Sequence, residues 1–174
     1  LKSVNITPVP KSGIPKGLND YRPISILPAL SKVFEKILCQ KFILPVIRDR
    51  VSPNQFAYVP GSGKGTTNAL TNMYLSALQF LDGQSGAVRV AAVDLTKAFD
   101  SVTHSSILNA CVNFNLPKNV IEWIMSYLSN RRHRVFLKGV SSNYVLVNCG
   151  VPQGSVIGPI LFSLVMDSLS PVHE

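Results

Sequence analysis

The 174-residue chain is predicted to be an α+β domain. Three observations carry that expectation. Apolar residues make up 46% of the sequence and charged residues 15%, a balance that builds a packed core and excludes extended disorder. Short β-branched runs that read as strands occur beside longer runs with three-to-four apolar spacing that read as helices. The two kinds alternate without a strict strand–helix–strand rhythm, which argues against a doubly wound sheet.

The elements follow in order. Five prolines (Pro8, Pro10, Pro15, Pro23 and Pro28) fall within the first 28 residues and forbid a long helix there. This stretch is expected to be extended, with a loop over KSGIPKGLND (11–20). Leu30, Val33, Phe34, Ile37 and Leu38 then recur at helical spacing. They predict an amphipathic helix with this face on a core, bent or ended at Pro45. Residues 51–65 are turn-rich, and Thr66 or Thr67 is placed to cap a second helix through about Leu81, broken by Asp82-Gly83.

VRVAAVDL (88–95) predicts a buried strand. A helix over about 104–114 turns Ile107, Cys111 and Phe114 inward. Pro117 suits the first turn of the next helix, whose stripe is Val120, Ile121, Ile124, Tyr127 and Leu128. RVFLK (134–138) and YVLVNC (144–149) predict a hairpin joined by GVSSN. The Gly-rich GVPQGSVIGP (150–159) leads into a last helix with Pro159 near its start.

Charge and cysteine usage narrow the function classes. The net charge is +8 and the sequence pI about 9.6. Such a domain fits a polyanionic partner, with simple solubility as the plain alternative. Cys39, Cys111 and Cys149 are odd in number and far apart. They suit neither a disulfide scaffold nor a zinc site and predict a reducing, intracellular setting without secretion. No apolar run approaches a membrane span: Ser163 and Asp167 interrupt ILFSLVMDSL (160–169). Residue 1 is Leu, which suggests a piece of a longer reading frame.

Four segments could carry chemistry. In AAVDLTKAFDSV (91–102), Asp94 ends the apolar run. A carboxylate there is costly unless paired or metal-bound, and Mg²⁺ accepts one or two carboxylates plus substrate phosphates. Asp100 serves equally as a helix cap. In GVPQGSVIGP the glycines admit close backbone approach and Gln153 offers both a donor and an acceptor, although a plain turn explains them as well. VPGSGKGTT (59–67) imitates a phosphate-binding P-loop. It fails where Tyr58 replaces the first glycine and Gly65 follows Lys64. RRHR (131–134) with Lys138 is a spaced basic run, suited to a phosphate backbone or to a helix C-terminus.

Taken together, the segments resemble the reverse transcriptase of non-LTR, LINE-type retrotransposons. VPKSGIPKGLNDYRPISILPALSKVFEKIL (9–38) and QFAYVPGSGKGTTNAL (55–70) are similar to that family's two fingers blocks. AVDLTKAFDSV and GVPQGSVIGPILF (150–162) are similar to its motifs A and B, in the right order.

The resemblance implies a partial right-hand polymerase, with fingers over 1–87 and the first part of the palm over 88–174. It implies RNA-directed DNA synthesis by two-metal nucleotidyl transfer in a complete parent protein. The cofactor would be two Mg²⁺ ions, with Mn²⁺ as the substitute. The partners would be an RNA template, a DNA primer, deoxynucleoside triphosphates and the rest of a polyprotein: remaining palm, thumb and nuclease domain. Asp94 would be the catalytic metal ligand with the Leu95 carbonyl beside it, and Phe99 would select deoxynucleotides by clashing with a 2′-hydroxyl. Gln153, Gly154, Lys64 and Arg22 would line the nucleotide site, and Arg131, Arg132, Arg134 and Lys138 would track nucleic acid. The sequence contains no Asp-Asp pair, so the motif C hairpin and thumb are expected to lie outside it. The 174 residues alone are therefore expected to be inactive. The alternatives are a non-catalytic basic nucleic-acid-binding relic and a P-loop NTPase.

Overall fold

The computed structural model describes residues 2–168 except 12, 60, 62, 84 and 85. The proline-rich start is extended, as expected: β1 (Ser3–Pro10) and β2 (Tyr21–Ile26) pair antiparallel. β1 also pairs in parallel with β3 (Arg131–Leu137), but only over Ser3–Ile6. Pro8 and Pro10 lie beyond that overlap, where a missing N–H breaks no second ladder. β3 pairs antiparallel with β4 (Val140–Ser141) and with β5 (Val145–Val147), completing a mixed five-stranded sheet.

The hairpin forms, with its turn displaced. Lys138 (φ 49°) and Gly139 (φ 82°) make a two-residue turn between Leu137 and Val140. Two left-handed residues match the twist of the flanking strands. GVSSN is therefore no simple loop, because its Val140 and Ser141 pair with β3. The RRHR run belongs wholly to β3 rather than to a helix end.

The helices form a layer with its own core. α1 (Ala29–Leu38) runs through a wider π-type turn (Cys39–Ile43) into α2 (Leu44–Ile47), so Pro45 stands in the first turn of α2 instead of ending the helix. α3 (Thr66–Gly83) follows, then the short α4 (Ala98–Ser101). α5 (His104–Asn113) is capped by Thr103, whose side chain accepts from the Ser106 N–H at 3.1 Å. α6 (Lys118–Leu128) follows Pro117, and α7 (Ile157–Asp167) closes the order. Ile43, Ile47, Ile107, Ile124, Leu128, Ile157, Leu161 and Leu164 are completely buried in one cluster. The predicted inner faces of α5 and α6 are borne out in Ile107, Cys111, Phe114, Val120, Ile124 and Leu128.

Two expectations are corrected. The apolar face of α1 packs inward only at Leu38: Leu30, Val33, Phe34 and Ile37 are exposed, and Glu35 is buried beside Leu38. The Glu35 carboxylate takes up otherwise unsatisfied donors across the layer, which turns that side of the helix inward. VRVAAVDL forms no strand. Residues 86–95 carry no regular structure and are exposed, Val93 at 86%. A strand needs a ladder partner, and the paired strands of the described residues are β1 to β5. Among the described residues no helix is long and apolar enough to cross a membrane.

Candidate functional site

The site is built where the loop after β5 passes α4. Gly150 (φ 79°) lies so close to α4 that an added Cβ would stand 2.8 Å from the Asp100 carbonyl oxygen. Only glycine tolerates both the left-handed backbone and that approach. The loop is then strapped down. The Gly150 N–H donates to the Val102 carbonyl at 2.7 Å, and the Val151 N–H donates to that of Phe99 at 2.8 Å. On its other side the Ser25 N–H of β2 donates to the Gln153 carbonyl at 2.8 Å. Gly154 (φ 105°) passes Ser25 with room for no side chain, since a Cβ would meet the Ser25 carbonyl oxygen at 3.0 Å.

These contacts bring Phe99, Asp100, Gln153 and Gly154 together. The Gln153 amide Nε2 lies 2.9 Å from each carboxylate oxygen of Asp100. Asp100 is not the helix cap it could have been: it lies inside α4, and Thr103 caps α5. Phe99 is half-buried; its ring packs against Phe162 at 4.8 Å and meets Tyr58 edge-on at 5.9 Å. Tyr58, Phe56, Lys64, Gly65, Val156 and Ile160 line an open cleft of about 510 Å³. The Lys64 ammonium donates to the carbonyls of Pro53 (3.1 Å) and Ser52 (3.4 Å) and sits over the Phe56 ring.

The other predicted residues stand apart. Asp94 and Leu95 are in the exposed 86–95 segment. Among the described residues no three His, Cys, Asp or Glu side chains cluster as metal ligands. Arg22 is exposed on β2. Arg132 and Lys138 are exposed. Arg134 is tied to the Asn5 side chain at 2.8 Å and lies over the Tyr144 ring. Arg131 leaves the predicted basic strip. It is 2% exposed, donates through Nη1 to the Tyr127 carbonyl and lies against the Tyr127 ring. Burial depresses its guanidinium pKa, with Tyr127 and Glu35 opposing the shift.

Glu35 went unnoticed in the sequence. Its carboxylate accepts from Ser31 Oγ (3.1 Å), Tyr127 Oη (3.0 Å) and the Val156 N–H (2.8 Å). It reaches the Ile157 N–H at 3.4 Å and so holds the start of α7. Tyr127 is held protonated well above the ordinary phenol range, first by burial and then by Glu35. The available signal was spacing: Glu35 lies four residues after Ser31 and three before Leu38, on one helical face.

A mixed sheet flanked by helices, with a strand-to-helix loop strapped over a short helix, defines an α+β architecture. Residues 9–172 match the model of the family described as reverse transcriptase (RNA-dependent DNA polymerase), and the chain belongs to that family. It is 30% identical over 173 residues to the RNA-directed DNA polymerase from mobile element jockey of Drosophila melanogaster, covering 99% of this chain and 18% of that protein. It is 28% identical to the retrovirus-related Pol polyprotein from type-1 retrotransposable element R2 of Popillia japonica, covering 96% of this chain and 23% of the other. The chain thus spans about a fifth of the length of these relatives. Its fold resembles apo telomerase from Candida tropicalis truncated from its C-terminal domain, with TM-score 0.58 and 16% identity over 97% of this chain and 38% of that one. Its relatives are non-LTR retrotransposon polymerases, as expected, and membership in their family displaces the P-loop NTPase reading.

Proposed function

We propose that residues 1–87 are the fingers and residues 88–174 the first part of the palm of an RNA-directed DNA polymerase. Its parent protein would copy an RNA template onto a DNA primer from deoxynucleoside triphosphates. The observation that carries this reading is the junction of Phe99 and Asp100 with Gln153 and Gly154, which joins two segments about fifty residues apart in sequence. Phe99 is the floor on which the sugar rests, and its ring leaves no room for a 2′-hydroxyl. Gln153 and Gly154 line the nucleotide site, with Lys64 on the adjoining cleft to meet phosphate charge. Arg22, exposed on β2, would reach the nucleotide from outside this junction, and Arg132, Arg134 and Lys138 supply positive charge on β3 and its turn for nucleic acid.

Divalent-metal chemistry (Mg²⁺, or Mn²⁺ in its place) would stabilise charge in phosphoryl transfer. Asp94 and the Leu95 carbonyl are its donors from this chain. One carboxylate does not hold two such ions, so the described residues do not fit a complete two-ion centre. The test is Asp94→Ala in the full-length parent protein. Primer extension is expected to fall roughly a thousandfold or more, the several kcal/mol a metal supplies, with template affinity unchanged. Extension at the wild-type rate would overturn the reading.

A further inference from the structure

We propose that Asp100 is a positioning residue that sets which end of the Gln153 side-chain amide faces the nucleotide; this rests on the polymerase reading above. An ionised carboxylate only accepts hydrogen bonds, whereas an amide carries a donating NH₂ and an accepting oxygen. With both Asp100 oxygens 2.9 Å from Nε2, the amide must turn its nitrogen to Asp100. The reverse flip would set Oε1 against the carboxylate. The backbone on both sides is already fixed. Val151 is bonded to Phe99, Gly150 to Val102, and Ser25 to the Gln153 carbonyl. The Cys149 thiol also reaches the Asp100 carbonyl at 3.4 Å. What remains free is the Gln153 side-chain torsion, and Asp100 selects it. Among the described residues nothing donates to Oε1, so Gln153 presents an acceptor. It therefore recognises a ligand group that carries a proton, such as a sugar hydroxyl.

Two experiments keep this inference separate from the reading it rests on. The first uses the 174-residue chain and needs no activity. The Gln153 side-chain NH₂ resonance, assigned by its loss in Gln153→Ala, should move upfield in Asp100→Asn while the backbone amides of Ser25 and Val151 stay in place. An unmoved NH₂ resonance overturns the proposal, whatever the polymerase does. The second uses the full-length parent. Asp100→Asn and Gln153→Ala should each raise KM for the nucleotide about tenfold, the effect of misplacing one good hydrogen bond, with little change in kcat. The double variant should be no worse than Gln153→Ala alone, and Asp100→Glu should recover part of the loss. Additive losses, or a fall in kcat with KM unchanged, overturn the positioning role. A moved resonance in the chain together with a wild-type parent that extends no primer overturns the polymerase reading and the nucleotide role of Gln153 with it.

Discussion

The layer formed by α5, α6 and α7 and the segment 86–95 are both rich in apolar residues and opposite in structure. In the first, Ile107, Ile124, Leu128, Leu161 and Leu164 are completely buried against one another. In the second, Val88, Val90, Val93 and Leu95 are exposed, between 39% and 86%. Helices satisfy their own backbone, so they need only side-chain complements, and these lie within the same stretch of chain. An apolar strand needs a hydrogen-bonded neighbour before its side chains can be buried. Apolar composition therefore marks the intent to be buried and leaves the partner unnamed. α3 makes the same point, because none of its residues is buried although Leu70, Leu75, Leu78 and Leu81 lie along it.

The largest test of this contrast is a matched pair of truncations. Ile124→Ala empties a site with no exposure and is expected to destabilise the chain by about 2–5 kcal/mol in urea unfolding. Val93→Ala removes two methyl groups from a side chain 86% exposed and should change stability by less than about 0.5 kcal/mol. Equal costs would mean that 86–95 is packed in solution, and the contrast would collapse.

The same physics decides what could be read in the sequence. The inner faces of α5 and α6 were legible because Ile107, Cys111, Val120 and Ile124 meet partners at the period of their own helices. The helix over about 104–114 and the loop before α7 rest on local backbone rules and were legible too, although the cap of that helix proved to be Thr103. The α1 face was misread in part, because Leu30, Val33, Phe34 and Ile37 have the right period and stay exposed even where Phe34 meets the Trp123 ring. Arg131 was misread as a nucleic-acid contact, because a cation in a basic run gives no sign that Tyr127 will cover it. Within the candidate site, Phe99, Gln153 and Gly154 were legible through motif resemblance. The Asp100–Gln153 bond was not, since it depends on a loop crossing α4 that no local pattern encodes.

Glu35 sharpens the comparison at its polar end. It is fully buried and serves donors from α1, α6 and the start of α7. Glu35→Ala would strand the Tyr127 hydroxyl and the Val156 N–H, and buried unsatisfied donors are costly. The expected loss is about 2–3 kcal/mol in urea unfolding, with Glu35→Gln losing less because its oxygen still accepts. A neutral Glu35→Ala would show that α7 starts without this carboxylate and that the helical layer rests on apolar contacts alone.

The smallest expected effect separates the buried layer from the exposed loop by thiol chemistry. Cys39 and Cys111 are buried in the layer, and Cys149 is exposed beside α4. Burial pushes both inner thiols from 9.0 up to about 12, with Glu35 adding to the shift at Cys39. The folded chain thus keeps two protons that the unfolded chain releases near pH 9. Their contribution to stability is complete below that value and is lost as the pH climbs toward 12. Urea midpoints should therefore decline above pH 9, and by less in a Cys39→Ala, Cys111→Ala chain measured against its own value at pH 8. The thiolate is the reactive form, so a thiol reagent at pH 8 should modify Cys149 quickly in the native chain and the other two only after unfolding. Three thiols reacting at one rate would show that the layer opens as readily as the loop, and the division between the two regions would lose its physical basis.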